Sequence, residues 1–268
     1  MPAKKTTKII FFGDVAGSFG RRGVKKIIPL WQGKYQPDIF VANVENLAHH
    51  KGVTIKTLEE LRSAGIKAMT GGNHIWSKHD IGDLARDTDF ALACPLNDSR
   101  TPKKYSFQSV PVGDQQLIFI NLQGQTFMES DYTSNPFLAI DKLLPELPAE
   151  AMIIVDVHAE ATSEKRALGF YLAGRIAAVI GTHTHVPTAD SQILEGGTAY
   201  ISDIGMTGPL DSILGIKKEV IIEKFLSSDR IRHELPESGQ TEVNAVLLEI
   251  DNRSKKAVRI EHLREIID

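Results

Sequence analysis

The sequence predicts an α/β fold: a mixed β-sheet sandwich flanked by helices, in one domain over residues 1–268. Three observations predict it. Short apolar runs alternate with amphipathic stretches over most of the chain. Hairpin patterns are inserted in the middle and appended at the end. Polar, potentially metal-ligating residues close several of the apolar runs, where open α/β sheets place their ligands.

The first strand is read over Lys8–Phe12 and ends at Gly13-Asp14. A helix follows over about Arg21–Tyr35, with Val24, Ile27, Ile28 and Trp31 at helical spacing. Gly17, Gly20 and Gly23 are spaced G-x-x-G-x-x-G, which is not a dinucleotide fingerprint. Strand two is Ile39–Ala42, followed by Asn43-Val44-Glu45-Asn46, and a helix spans about Ile55–Ala64 before Gly65. Strand three, Ala68–Thr70, leads to Gly71-Gly72-Asn73-His74, where small residues permit close backbone approach.

A short helix is expected over Asp80–Arg86 and a strand over Phe90–Ala93. Tyr105–Val110 and Gln116–Asn121 read as a hairpin around Pro111–Asp114. Gln123–Asn135 is a long polar connection and a candidate pocket wall. A helix is read over Pro136–Leu144 and a strand over Met152–Val155, ending in Asp156-Val157-His158-Ala159-Glu160. Thr162 is the expected cap of the next helix, with Glu164 favourable in its first turn.

The run Ile176–Ile180 reads as a buried strand leading into Gly181-Thr182-His183-Thr184-His185. On extended backbone, residues two apart point to the same side. Gln192–Leu194 and Thr198–Ile201 form a hairpin pattern, Ser202–Gly215 reads as a flexible loop or one closing over substrate, and Val243–Ile250 pairs with Ala257–Ile260. No element is assigned over 216–242.

Charged residues make up 24% and hydrophobic residues 42% of the chain, as in ordinary soluble globular proteins. Net charge of −3 argues against stable nucleic-acid binding, and no run suits a membrane span. The lone Cys94 excludes an internal disulfide and fits a reducing cytoplasm. A homo-oligomer is compatible with the sequence.

Asp14, Glu45, Asn46, Asn73, His74, His158, His183 and His185 all stand at ends of apolar strands. Together they offer seven nitrogen or oxygen ligands and one spare histidine. Such donors, without thiolate, suit Fe, Mn or Zn. Seven exceed the need of one tetrahedral ion, so two metals sharing a carboxylate is the economical reading. H-x-H also serves amidohydrolases, but on their first strand, where this chain has Asp14 and no histidine.

Long motifs carry a resemblance. A similarity that covers nearly the whole chain runs through Gly13-Asp14-Val15-Ala16-Gly17-Ser18, Glu45-Asn46, Gly72-Asn73-His74, DVHAEATSEK over Asp156–Lys165, GTHTHVPTAD over Gly181–Asp190 and Gly205–Pro209. The sequence resembles the calcineurin-like metallophosphoesterases, and more closely the YmdB family of bacterial 2′,3′-cyclic-nucleotide 2′-phosphodiesterases. The resemblance implies a metallophosphoesterase-type sandwich. It implies that Asp14, Glu45, Asn46 and His185 hold one metal and Glu45, Asn73, His158 and His183 a second, with His74 as general acid. Two divalent or mixed-valence ions, Fe or Mn, would activate a bridging water to open a small cyclic nucleotide, giving a 3′-nucleotide. His49 matches a family position and is a candidate substrate-lining residue. Val44 and His50 stand where the family commonly has glycine.

Competing readings are another phosphate ester or an RNA end as substrate, or a metal-dependent regulatory protein. Arg21 and Arg22 read as helix-surface charges. His79, His233 and His262 read as surface or helix residues. Phe127, Tyr132 and Met206 read as hydrophobic filler rather than base contacts.

Overall fold

The computed structural model describes residues 4–78, 90–128, 130–227 and 232–268. The helix expected over Asp80–Arg86, and His79, lie outside the described residues. In chain order the elements begin with β1 (Thr6–Phe12), β2 (Asp14–Val15), α1 (Gly17–Tyr35), β3 (Ile39–Asn43), α2 (Ile55–Ala64), β4 (Ile66–Thr70) and β5 (Leu92–Ala93). Next come β6 (Gln108–Val112), β7 (Gln115–Gln123), α3 (Pro136–Leu143), β8 (Met152–His158), α4 (Thr162–Leu172), β9 (Ala178–Thr182), β10 (Gln192–Leu194) and β11 (Thr198–Ile201). The chain closes with β12 (Met206–Pro209), α5 (Lys218–Leu226), β13 (Thr241–Asp251) and β14 (Ala257–Ile267).

These strands form two mixed sheets. One is 8-stranded, in the order β2-β12-β13-β1-β3-β4-β5, with β14 on β13. The other is 6-stranded, in the order β10-β11-β9-β8-β7-β6. In the first, β1, β3, β4 and β5 run parallel. In the second, β7, β8, β9 and β11 run parallel. Strands buried on both faces need continuous apolar sequence, and β3 and β9 supply it.

The sheets pack face to face through Ile9, Phe11, Val41, Phe119, Ile154 and Ile180. The outer face of the larger sheet carries α1 and α2 over Ile10, Phe12, Trp31 and Leu58. The outer face of the smaller carries α3 and α4 over Ile118, Ile140, Val155 and Leu168. No helix among the described residues is long and apolar enough to cross a membrane.

Several expectations change. Helix α1 starts at Gly17, not Arg21. Glycine is a weak helix former, but a Cβ on Gly20 would lie 2.4 Å from the Thr207 carbonyl oxygen, so contact with β12 requires it. The Ser202–Gly215 stretch is not all loop: Met206–Pro209 pairs with β2 and β13. Helix α5 falls where the sequence suggested no element. The final hairpin is longer at both ends, Thr241–Asp251 with Ala257–Ile267. The β6–β7 turn contracts to Gly113-Asp114, with Pro111 and Val112 in the strand. The α4 cap is Ala161, with no side-chain cap; Thr162 is already helical.

Trp31 is 2% exposed and stacks on Phe12 with ring centroids 5.4 Å apart, fixing α1 to β1. Trp31→Ala should cost roughly 3–5 kcal/mol of unfolding free energy in a urea titration, and Trp31→Phe much less. A loss below about 1 kcal/mol for Trp31→Ala would contradict this packing account.

Candidate metal centre

Parallel strands bring their carboxyl ends to one edge of the sandwich. Asp14 follows β1, Glu45 and Asn46 follow β3, and Asn73 and His74 follow β4. His158 ends β8, and His183 and His185 follow β9. Residues distant in sequence thus meet at a single place.

Four donor atoms are close together. His158 Nε2 lies 3.1 Å from Glu45 Oε2, 3.0 Å from Asn73 Oδ1 and 3.0 Å from His183 Nδ1. Adjacent ligands of an octahedral ion with bonds near 2.1 Å sit about 3.0 Å apart, so these separations fit a shared cation. The Glu45, His158 and His183 donors all lie within 4.8 Å of one another. Gly72 is obligatory beside them: a Cβ there would be 2.2 Å from Glu45 Oε2 and 2.6 Å from His158 Nε2.

The second group adjoins the first. Asn46 Nδ2 donates to Glu45 Oε1 at 3.0 Å and lies 3.2 Å from His185 Nε2. His185 Nε2 is 3.8 Å from Asp14 Oδ1. Asp14 Oδ1 is buried with no hydrogen-bond partner, while Asp14 Oδ2 accepts from His183 N at 3.1 Å. Rotating the Asn46 amide exchanges its donor nitrogen for its oxygen at the same place.

Charge makes the same case. Asp14 and Glu45 are buried, and among the described residues neither pairs with a Lys or Arg. Burying a carboxylate costs several kcal/mol unless a cation compensates it. Burial pushes Asp14 up to about 6, against the pull of His185 and His158. Burial also pushes Glu45 up, but His158 and His74 outweigh it and hold the carboxyl well below the usual range. Burial opposes a charged His158, yet Glu45, Asp14 and Asp156 raise it to about 9. In this cage His158 stands in for a cation. Buried oxygen and nitrogen donors, an unpartnered Asp14 oxygen and a carboxylate excess fit bound metal ions.

An outer ring holds the donors in place, and the sequence reading missed it. His158 Nδ1 is 2.9 Å from Thr182 Oγ1, which donates to Asp156 Oδ1 at 2.7 Å. Asp156 also accepts from Thr70 and from Asn43, and Asn43 Oδ1 accepts from Glu45 N. This chain turns His158 Nε2 toward the centre, the usual function of groups behind a ligating histidine. A signal existed: Asp156 and His158 are two apart on one strand and share a face. Glu160 Oε2 likewise lies 3.1 Å from His183 Nε2.

The H-x-H geometry differs from the expectation. Strand β9 ends at Thr182, and His183 and His185 have φ of 99° and 65°. They do not lie side by side on extended backbone; one reaches His158 and the other Asp14. Asp203 forces the turn. It accepts from Thr184 N at 3.0 Å and from Thr184 Oγ1 at 2.8 Å, between the two histidines. Buried Lys165 Nζ pairs with the same Asp203 oxygen at 2.7 Å.

His74 is half-buried. Its backbone amide donates to Glu45 Oε2 at 2.9 Å, and its side chain lines a cavity of about 620 Å³ with Glu45, Asn46, His183 and His185. Burial lowers its pKa, with Glu45 acting in the opposite direction. His49 and His50 line the same cavity, at φ of 55° and 59°. The left-handed backbone at His50 is a conformation that glycine adopts at lower cost. His233 is exposed, in line with its reading as a surface residue, and it also lines this cavity. Arg21 pairs with Glu60 and bonds the Leu47 carbonyl, a structural role.

The profile of the family described as YmdB-like protein matches residues 10–263. The chain belongs to the YmdB-like family. One curated relative in it, the 2′,3′-cyclic-nucleotide 2′-phosphodiesterase of Bacillus subtilis, is 46% identical over 96% of both chains. A solved structure described as a novel phosphatase from Mycoplasma pneumoniae superposes with a TM-score of 0.91 at 33% identity, covering 99% of this chain and 95% of that one. A hypothetical protein from Thermus thermophilus gives a TM-score of 0.89 at 35% identity, covering 98% and 100%. These YmdB-like comparisons span almost the entire sandwich.

The Asp203–Lys165 pair generates a prediction. Lys165→Met leaves a buried carboxylate uncompensated and should cost roughly 3–5 kcal/mol in a urea titration. A loss under about 1 kcal/mol would mean that the pair does not hold the His183–His185 turn.

Proposed function

We propose that the chain is a metal-dependent phosphodiesterase that opens 2′,3′-cyclic nucleotides such as 2′,3′-cAMP to 3′-nucleotides. The observation that carries this reading is the convergence of Glu45, Asn73 and His183 on His158 Nε2 within 3.1 Å, beside a cavity of about 620 Å³. The B. subtilis relative supports the reaction by its name. The reading places the two-sheet sandwich among the calcineurin-like metallophosphoesterases.

Asp14, Glu45, Asn46 and His185 would hold one ion, and Glu45, Asn73, His158 and His183 the other. The oxygen and nitrogen donors suit Fe or Mn. Bound there, metal ions supply Lewis-acid charge to the phosphoryl group and lower the pKa of an attacking water.

The chain's own residues do the rest. Glu45 joins the two donor groups through its two oxygens. Asp156 and Thr182 keep His158 oriented, and Asp203 keeps His183 and His185 apart. His74 donates a proton to the departing ribose oxygen, the task of a positioned imidazole. Burial disfavours the charged ring, and the negative charge of a bound phosphodiester beside it favours the protonated form, which takes its proton from solvent. One fixed acid selects one of two similar P–O bonds. His49 borders the bound nucleotide.

Chromatography of the products against both AMP standards tests this. With 2′,3′-cAMP the protein should release 3′-AMP and little 2′-AMP; an even mixture would sink the role of His74 in choosing the bond. His74→Ala should keep its metals and lose ~10²–10⁴-fold in rate, with a smaller loss on a nitrophenyl phosphodiester, whose leaving group needs little protonation. Loss of metal in His74→Ala would reassign that residue as a ligand.

A further inference from the structure

Two cavities open onto the centre. The one already described takes Glu45, Asn46, His74 and His185 from it. A second, of about 430 Å³, takes Asn73 and continues past Arg100, Phe127 and Tyr132; His183 lines both. With His74 in the first cavity, the nucleoside whose oxygen departs belongs there. A cyclic mononucleotide has no second base to offer the other cavity.

Phe127 is not hydrophobic filler. Its side chain is 84% exposed, on backbone with φ of 60°. The turn that presents it is anchored on both sides. Gln125 N and Thr126 N each donate to the Glu164 carboxylate at 3.0 Å. Beyond the ring, buried Met128 donates from its backbone to the Gln125 carbonyl. An unfavourable backbone conformation is thus held firmly in order to keep a phenyl ring in water, where folding gains nothing from it.

Tyr132 is 51% exposed and faces the Arg100 guanidinium, 4.2 Å from its ring centroid. Arg100 in turn forks onto buried Asp98 through Nε and Nη2. Tyr132 is therefore braced by a guanidinium that is itself fixed. Exposed aromatic rings on anchored supports are the means by which proteins stack single-stranded bases, with little dependence on sequence.

We propose that this second cavity is a subsite for the nucleobase adjoining the reacting nucleotide. Short RNA ends bearing a terminal 2′,3′-cyclic phosphate are then better substrates than the cyclic mononucleotide. The proposal rests on the reading of the centre as a cyclic phosphodiesterase. Among the described residues Arg100 is the one Lys or Arg lining this cavity, and it is committed to Asp98, so the cavity provides no basic track for a longer strand. The benefit therefore ends after the second nucleotide.

The test compares kcat/KM for 2′,3′-cAMP, for the dinucleotide ApA with a terminal 2′,3′-cyclic phosphate, and for the hexanucleotide of the same kind. The dinucleotide should exceed the mononucleotide by ~10-fold or more, the lower range for stacking one base. The hexanucleotide should stay within about threefold of the dinucleotide. Phe127→Ala should bring the dinucleotide-to-mononucleotide ratio close to one, and Phe127→Trp should preserve it. A wild-type ratio near one, or a ratio unchanged in the Phe127→Ala, Tyr132→Ala double variant, overturns the proposal. Calorimetric binding of ApA 3′-phosphate against 3′-AMP separates the subsite from the reaction. Tighter dinucleotide binding that Phe127→Ala abolishes supports the subsite even if neither cyclic substrate turns over, in which case the reaction alone is lost. Equal binding of the two products removes the subsite.

Discussion

Glu45 is the carboxylate around which the centre is organised. Oε1 accepts from Asn46, and Oε2 accepts from the His74 backbone and lies beside His158. The residue is 1% exposed, so its charge has to be met inside the protein. Each strand end contributes something to that task. Gly72 makes room, Asn43 fixes the Glu45 backbone, and the ends of β4 and β8 bring Asn73 and His158 within 3.0 Å of each other, with His158 3.1 Å from the carboxylate. A conformation this costly to bury is tolerable when cations share the site.

Strain is concentrated around the same region. Among the described residues, eight that are not glycine have positive φ, and six of them line the two cavities: His49, His50, Phe127, His183, His185 and Leu214. Histidine adopts this region more readily than bulky apolar residues do. Each such residue costs on the order of 1–3 kcal/mol and persists where its surroundings enforce it. Here those surroundings are specific: Asp203 with Lys165 for the two H-x-H histidines, and Glu164 for the Phe127 turn.

Much of this was legible in the sequence. Continuous apolar runs marked β1, β3, β8 and β9, and their polar ends marked the candidate ligands, because strand direction sends those ends to one edge. Elements defined by tertiary contact were less legible. Met206–Pro209 carries Gly and Pro, and is a strand because β2 and β13 lie on either side of it. The split of His183 from His185 depends on Asp203, twenty residues after His183 in the chain, and spacing cannot report that contact. Asp156 was hidden by its place inside a strand, where a carboxylate reads as an end rather than as the support of Thr182, Thr70 and Asn43. The exposed Phe127 was misread because composition treats an aromatic ring as filler, and only its anchored turn shows otherwise.

The central claim is that one buried carboxylate unites two groups of donors into a two-metal site. Elemental analysis of untagged protein, purified without chelator and compared with Glu45→Gln, tests it most directly. The account predicts about two ions per wild-type chain, Fe or Mn, and depletion of both ions in the folded variant. Recovery of at most one ion per wild-type chain after loading with Mn or Fe, or an unchanged content in Glu45→Gln, would contradict it.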